Sequence, residues 1–275
     1  MKIALTGSDG MLGSDICSVF SDVQLTAFTL KDFDITDLDA SVSAIRKIKP
    51  DYVVHTAAYT NVDGSEQSPD KAYLFNGIGT RNITMACEET GCPIIYISSD
   101  YVFDGTKNEP YNEWDMPNPI NHYGMSKLLG ERYVTSLTNR FYIVRTSWLY
   151  GKKGKNFVDT ISRLLRERDE IDVVTDQAGS PTYTLDLAKK LKELLTKGYG
   201  TYHITNSSYC SWYEFAVEIA RLQSSNAEIR QTTSDIFKLP ARRPSFSVLN
   251  NTMLRLEGIK EARPWKAALK DYLSH

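Results

Sequence analysis

Ile3-Ala4-Leu5-Thr6-Gly7-Ser8-Asp9-Gly10-Met11-Leu12-Gly13 stands at the head of the chain. Its first four residues are a short apolar run, the pattern of a buried strand, and Gly7 ends it. From Met11 to Phe20 the apolar residues 12, 16, 19 and 20 recur at helical spacing. Glycines at 7, 10 and 13 let the backbone turn tightly and approach a pyrophosphate. The helix N-terminus offers that group free N–H donors and positive partial charge. The spacing is Gly-x-x-Gly-x-x-Gly, not the Gly-x-Gly-x-x-Gly of the usual dinucleotide fingerprint. A purely structural turn is the alternative, and the place of this turn at the start of a βαβ unit weighs against it.

The same rhythm continues. Strands are expected at 24–28, 52–55, 93–98 and 141–146. Asp37 can cap a helix that ends before Pro50, and Ser68-Pro69 starts another with a hydroxyl cap and Pro at its first position. That helix runs to about Thr90 and stops at Gly91. The irregular stretch from Asp100 to about Asn118 is long for a compact domain, and such loops are usually functional. Alternating strands and helices imply an α/β fold: a Rossmann-like, doubly wound parallel sheet. Ligands of such sheets bind beyond the carboxyl ends of the strands. Gly7, Tyr59, Ser99 and Trp148 each follow a strand end and are expected to line one crevice.

After Gly151 the pattern changes to helices at 156–168, 185–195, 212–222 and 265–273, with strands at 171–174, 201–204 and 229–233. Residues 1–150 are therefore read as the dinucleotide-binding catalytic domain. Residues 151–275 are read mainly as a smaller, mixed α/β substrate-binding cap, with segments within 184–205 returning to the main sheet.

The 275 residues are 41% hydrophobic and 24% charged with a net charge of -2, ordinary for a globular domain with an ample core. No basic run points to nucleic acid or an anionic membrane surface. No apolar run approaches the ~18 residues of a membrane span. The N-terminus lacks the pattern of a signal peptide. Cys17, Cys87, Cys92 and Cys210 form no C-x-x-C and read as reduced core thiols, so the cytoplasm is the expected compartment.

Tyr123 and Lys127 are four apart, so they share one face if the segment is helical. Alone, that pair is an aromatic anchor beside a solvated lysine. After a glycine turn and a strand ending in Ser98-Ser99 it becomes a site. A free tyrosine has a pKa near 10, and an ammonium one helical turn away is expected to lower it. Such a tyrosine can give a proton to a carbonyl oxygen as hydride reaches its carbon, with a serine hydroxyl bonding that oxygen. The second strand ends without the acidic residue that would meet a ribose 2′-hydroxyl. Lys31 could instead meet a 2′-phosphate, or point to water. Asp34 and Ile35 could flank the adenine, although Asp34 also suits a plain turn. Ala57-Ala58-Tyr59 would let the backbone pass close to a cofactor, or simply pack a helix tightly.

These pieces resemble the extended short-chain dehydrogenase/reductases, and among them the dTDP-4-dehydrorhamnose reductase family. The likeness rests on Thr6–Gly13, 34–37, 57–63, 123–127, 176–182 and 243–245. It rests most on Ser98-Ser99-Asp100-Tyr101-Val102-Phe103-Asp104-Gly105 and Arg145-Thr146-Ser147-Trp148-Leu149-Tyr150-Gly151. The resemblance implies Tyr123 as proton donor, Lys127 as its partner and ribose ligand, and Ser99 where the family usually has threonine. It places Asp100 and Trp148 at the substrate and Arg243 at the nucleotide diphosphate. The implied cofactor is NADPH or NADH, held by Gly7, Asp9, Gly10, Met11, Leu12, Gly13, Lys31, Asp34, Ile35, Ala57, Ala58, Tyr59, Asn76, Tyr123 and Lys127. The implied reaction reduces the 4-keto group of dTDP-4-dehydro-6-deoxy-L-mannose to dTDP-L-rhamnose. A related sugar-nucleotide reductase, and a non-catalytic cofactor-binding subunit like that of methionine adenosyltransferase, are the alternatives. A homodimer stays open. The Mg²⁺ of some relatives is not carried over, because only Asp15 stands near a matching position.

Overall fold

Apolar runs of the first half of the chain become neighbouring parallel strands. In the computed structural model, which describes residues 1–274, β1 (Lys2–Thr6) leads into helix α1 (Met11–Val19), β2 (Gln24–Phe28), α2 (Leu38–Ile48) and β3 (Tyr52–His55). Then come α3 (Val62–Gln67), α4 (Pro69–Ala72), a π-helical segment (Tyr73–Gly79), α5 (Thr80–Thr90) and β4 (Ile94–Ser99). A 3-10 turn (Asp100–Val102), α6 (His122–Leu137), β5 (Phe141–Thr146), β6 (Leu149–Tyr150) and α7 (Phe157–Glu167) follow. Next are β7 (Glu170–Val174), β8 (Ala178–Gly179), β9 (Thr182–Tyr183), α8 (Thr184–Leu194) and β10 (Gly200–His203). The chain ends through β11 (Asn206–Ser207), β12 (Cys210–Ser211), α9 (Trp212–Leu222), β13 (Glu228–Thr232), α10 (Thr252–Leu256), β14 (Ala262–Pro264) and α11 (Trp265–Leu273).

The main sheet has the order β10-β5-β4-β3-β1-β2, and every neighbouring pair is parallel. Strand order reverses between β1 and β3, which opens a crevice at the carboxyl ends. All six residues of β4 are buried, and only Lys2 of β1 is exposed. Strands covered on both faces show no polar alternation. On one face Leu12 and Ile16 of α1 pack with Leu187 and Leu191 of α8. On the other, Ile45, Ile83, Ala86 and Val134 close the core. A separate cluster of Val158, Ile161, Phe215, Ile219, Trp265 and Leu269 unites α7, α9 and α11. β10, from the second half of the chain, sets Tyr202 beside Val144 on the main sheet.

Asp37 caps α2 by accepting from Ala40 N at 3.0 Å, as its position predicts. Ser68 does not cap; its side chain makes no bond to the helix it precedes. Asn61 caps an additional short helix, α3, instead. The long helix expected from Ser68 to Thr90 is also not regular. It widens into π-turns at Tyr73–Gly79, where the Asn76 side chain is wholly buried. A π-bulge re-aims one side chain out of helical register. Here Asn76 bonds the backbone of Tyr59 in both directions, at 2.7 and 3.0 Å, and Ser126 Oγ of α6 at 2.8 Å.

Helix α6 lies tight against β4 and its following turn. A Cβ on Gly124 would stand 2.0 Å from Tyr101 O, and one on Gly130 would stand 2.3 Å from the Tyr96 hydroxyl. Asn121 caps the helix by accepting from Gly124 N at 2.7 Å. A buried ion pair joins Glu131 of α6 to Arg145 of β5 through Nε–Oε1 and Nη2–Oε2 contacts of 2.9 and 2.7 Å. Among the described residues no helix is long and apolar enough to cross a membrane.

Candidate active site

A cavity of about 540 Å³ lies beyond the strand ends. Its wall holds Gly7, Asp9, Gly10, Met11, Leu12, Gly13, Ile35, Ala57, Ala58, Ser99, Asp100, Tyr123, Lys127 and Trp148. The glycine turn has the shape a pyrophosphate needs. Gly7 has φ +74, and a Cβ there would meet Ala57 N at 2.6 Å. A Cβ on Gly13 would meet Gly7 O at 2.2 Å. Gly10 precedes α1 as a cap without a side chain, so no side chain claims the first N–H groups of the helix. This cradle fits a dinucleotide.

Other predicted contacts stand off that wall. Tyr59, expected in the crevice, is not on the wall; Asn76 holds its backbone, while its neighbours Ala58 and Thr60 line the cavity. Asn76 is thus a strut between the 57–60 loop and α6. Lys31 is exposed just past Thr29 and Leu30, which are on the wall. Asp34 Oδ1 accepts from the backbone and hydroxyl of Thr36 at 2.9 and 2.8 Å, the plain turn role. Arg243 is bidentate on Asp63, at 3.0 and 2.8 Å, so its fork is already engaged.

Burial governs the titration of the groups predicted to act in catalysis. It pushes the Tyr123 phenol up to about 12; a hydrogen bond with Ser99 works against that rise and the Asp100 charge adds to it. The downward shift expected from Lys127 does not occur. Lys127 is itself desolvated and falls to about 7, partly held up by Glu131. Its ammonium lies 4.4 Å from the centre of the Tyr96 ring. Desolvation disfavours both charged forms, so each group drifts toward neutrality. Asp100, buried, rises to about 7 despite hydrogen bonds from Ser247 at 2.6 Å and Ser99 at 3.0 Å.

Trp148 combines a cavity position with φ +48 and a stack on Trp212, ring centroids 3.4 Å apart. Gly179 admits the indole, since a Cβ there would lie 2.4 Å from it. Tyr101, part of the run quoted from the sequence, lines the cavity too, and Phe33, Phe75 and Lys155 also line it but went unread in the sequence. Their signals were hydrophobic periodicity or an exposed charge, and neither points to a ligand.

A family model described as the RmlD substrate binding domain matches residues 1–275. The chain belongs to the dTDP-4-dehydrorhamnose reductase family. A dTDP-4-dehydrorhamnose reductase of Streptomyces griseus is 39% identical, over 97% of this chain and 91% of its own. A dTDP-4-keto-6-deoxy-D-glucose reductase of Streptomyces niveus is 36% identical, over 96% and 94%. The crystal structure of a Bacillus anthracis dTDP-4-dehydrorhamnose reductase in complex with NADP superposes with a TM-score of 0.97. It is 40% identical, with 99% of this chain and 98% of that one covered. The hydroxyl at the end of β4 is that of Ser99, which donates to Asp100 Oδ1 at 3.0 Å.

The raised Asp100 carboxyl gives a pH signature. Between about pH 4 and pH 7 the unfolded chain releases this proton while the fold retains it. Stability is therefore lost as pH rises through that window. Asp100→Asn should flatten this loss, read as urea midpoints at pH 4.5 and 7.5. Equal pH slopes for variant and wild type would refute the assignment.

Proposed function

We propose that this protein reduces the 4-keto group of dTDP-4-dehydro-6-deoxy-L-mannose to give dTDP-L-rhamnose, using NADPH or NADH. The carrying observation is one cavity that holds a glycine turn together with Ser99, Tyr123 and Lys127, in a chain of the dTDP-4-dehydrorhamnose reductase family. When bound, the reduced nicotinamide supplies hydride to C4. Tyr123 keeps its proton at neutral pH and gives it to O4 as negative charge gathers there. Ser99 bonds the same oxygen. Lys127, on the next turn of α6, steadies the phenolate left behind and takes the nicotinamide ribose. Solvent returns the proton to Tyr123. Trp148 and Asp100 flank the sugar. The four cysteines are free thiols, in keeping with cytoplasmic residence.

The name of the Streptomyces niveus relative favours a second reading, reduction of a sister nucleotide 4-keto-6-deoxy sugar. The stereochemistry of the product separates the two. A non-catalytic cofactor-binding subunit is disfavoured by the intact Ser99, Tyr123 and Lys127 set.

Purified protein, reduced nicotinamide and the keto sugar nucleotide should show stoichiometric loss of nicotinamide absorbance. Tyr123→Phe should cut turnover about 10²- to 10⁴-fold and leave cofactor affinity intact. A fully active variant would remove Tyr123 as the acid. In the same assay Lys31→Ala should lower the preference for NADPH over NADH about fivefold, the worth of one solvent-exposed charge pair. An unchanged ratio would end the 2′-phosphate role.

A further inference from the structure

The cavity takes one of its cations from outside the Rossmann-like half. The Asp and Lys side chains on its wall are Asp9, Asp100, Lys127 and Lys155. Lys127 is engaged in catalysis, and Asp9 brings negative charge to the glycine turn. The pyrophosphate of a nicotinamide dinucleotide carries two negative charges. The turn meets them with N–H groups and a helix end alone. Lys155 is the cation that remains to balance them.

The loop that carries Lys155 is seated on that turn. A Cβ on Gly151 would lie 3.0 Å from Met11 Cγ and 2.0 Å from Thr184 Oγ1, so only glycine fits there. Gly154, at φ +81, places its Cβ position 3.8 Å from Met11 Cε. Met11 is the first residue of α1. Asn156 closes the loop by donating from Nδ2 to Gly151 O at 3.0 Å. Among the described residues the lysine side chains paired with carboxylates are Lys107, Lys190 and Lys192, so Lys155 is not spent on an ion pair.

We propose that Lys155 is a cofactor-binding residue that brings a cation to the dinucleotide pyrophosphate from the second half of the chain. The proposal rests on the nicotinamide-dependent reading above. Lys155 is exposed on its loop, so its substitution leaves the fold in place.

The test is a fluorescence titration of NADPH and NADH into wild type, Lys155→Gln and Lys155→Arg, with dTDP affinity measured by calorimetry. Lys155→Gln should weaken both cofactors about five- to tenfold and flatten the salt dependence of binding. Lys155→Arg should restore them, and dTDP affinity should hold. Unchanged cofactor affinity, a loss confined to NADPH, or a loss of dTDP affinity alone would each overturn the proposal. Wild-type protein that binds neither cofactor would instead overturn the reductase reading on which it rests.

Discussion

The buried pair between Glu131 and Arg145 fixes α6, the helix that carries Tyr123 and Lys127. Both side chains are about 6% exposed. Taking two charges out of water costs several kcal/mol each, and only close geometry with further hydrogen bonds offsets it. Those bonds are present. Ser98 of β4 donates to Glu131, and Arg145 donates to Glu113 O and lies 5.1 Å from the centre of the Phe103 ring. Losing one partner would strand the other charge, at about 3–5 kcal/mol. The pair therefore ties α6 to β4 and β5 in one register. Glu131 is also one turn from Lys127 and supports its charged form. One contact thus sets both the position of α6 and part of the electrostatics at Lys127.

Around that frame, desolvation outweighs Coulomb attraction. Tyr123 rises, Lys127 falls and Asp100 rises, all in the direction burial dictates. For a reduction this is the useful direction, because the acid must begin protonated. A tyrosine that ionised readily would have no proton to give. In the proposed reaction the lysine would matter after transfer, when a phenolate would have to be stabilised beside it.

Much of the fold was legible because its signals are local. The apolar runs, the turn at Gly7 and the Asp37 cap each depend on neighbouring residues, and each forms as read. The features that escaped are tertiary. The π-turn at Asn76 exists because that side chain must reach Tyr59 and Ser126, fifty residues further on. Arg243 reads as a diphosphate contact or as one half of a surface pair, and only the packed structure shows Asp63, far away in sequence, beside it. The expected drop in the Tyr123 pKa failed for the same reason. Spacing gives the distance to Lys127, but only the packed structure gives the loss of water. The site's wall was read at Gly7, Asp9–Gly13, Ser99, Tyr123, Lys127 and Trp148, and missed at Phe33, Phe75 and Lys155, where an aromatic or an exposed lysine carried no motif.

The central claim is that burial keeps Tyr123 a phenol at working pH. It can be measured on cofactor-free protein carrying ring-labelled tyrosine. The ¹³C ring resonance that Tyr123→Phe removes is followed from pH 6 to 10.5. The account predicts a phenol shift throughout, consistent with a pKa of about 12. A phenolate shift appearing below pH 9 would show that Lys127 outweighs desolvation and would contradict it.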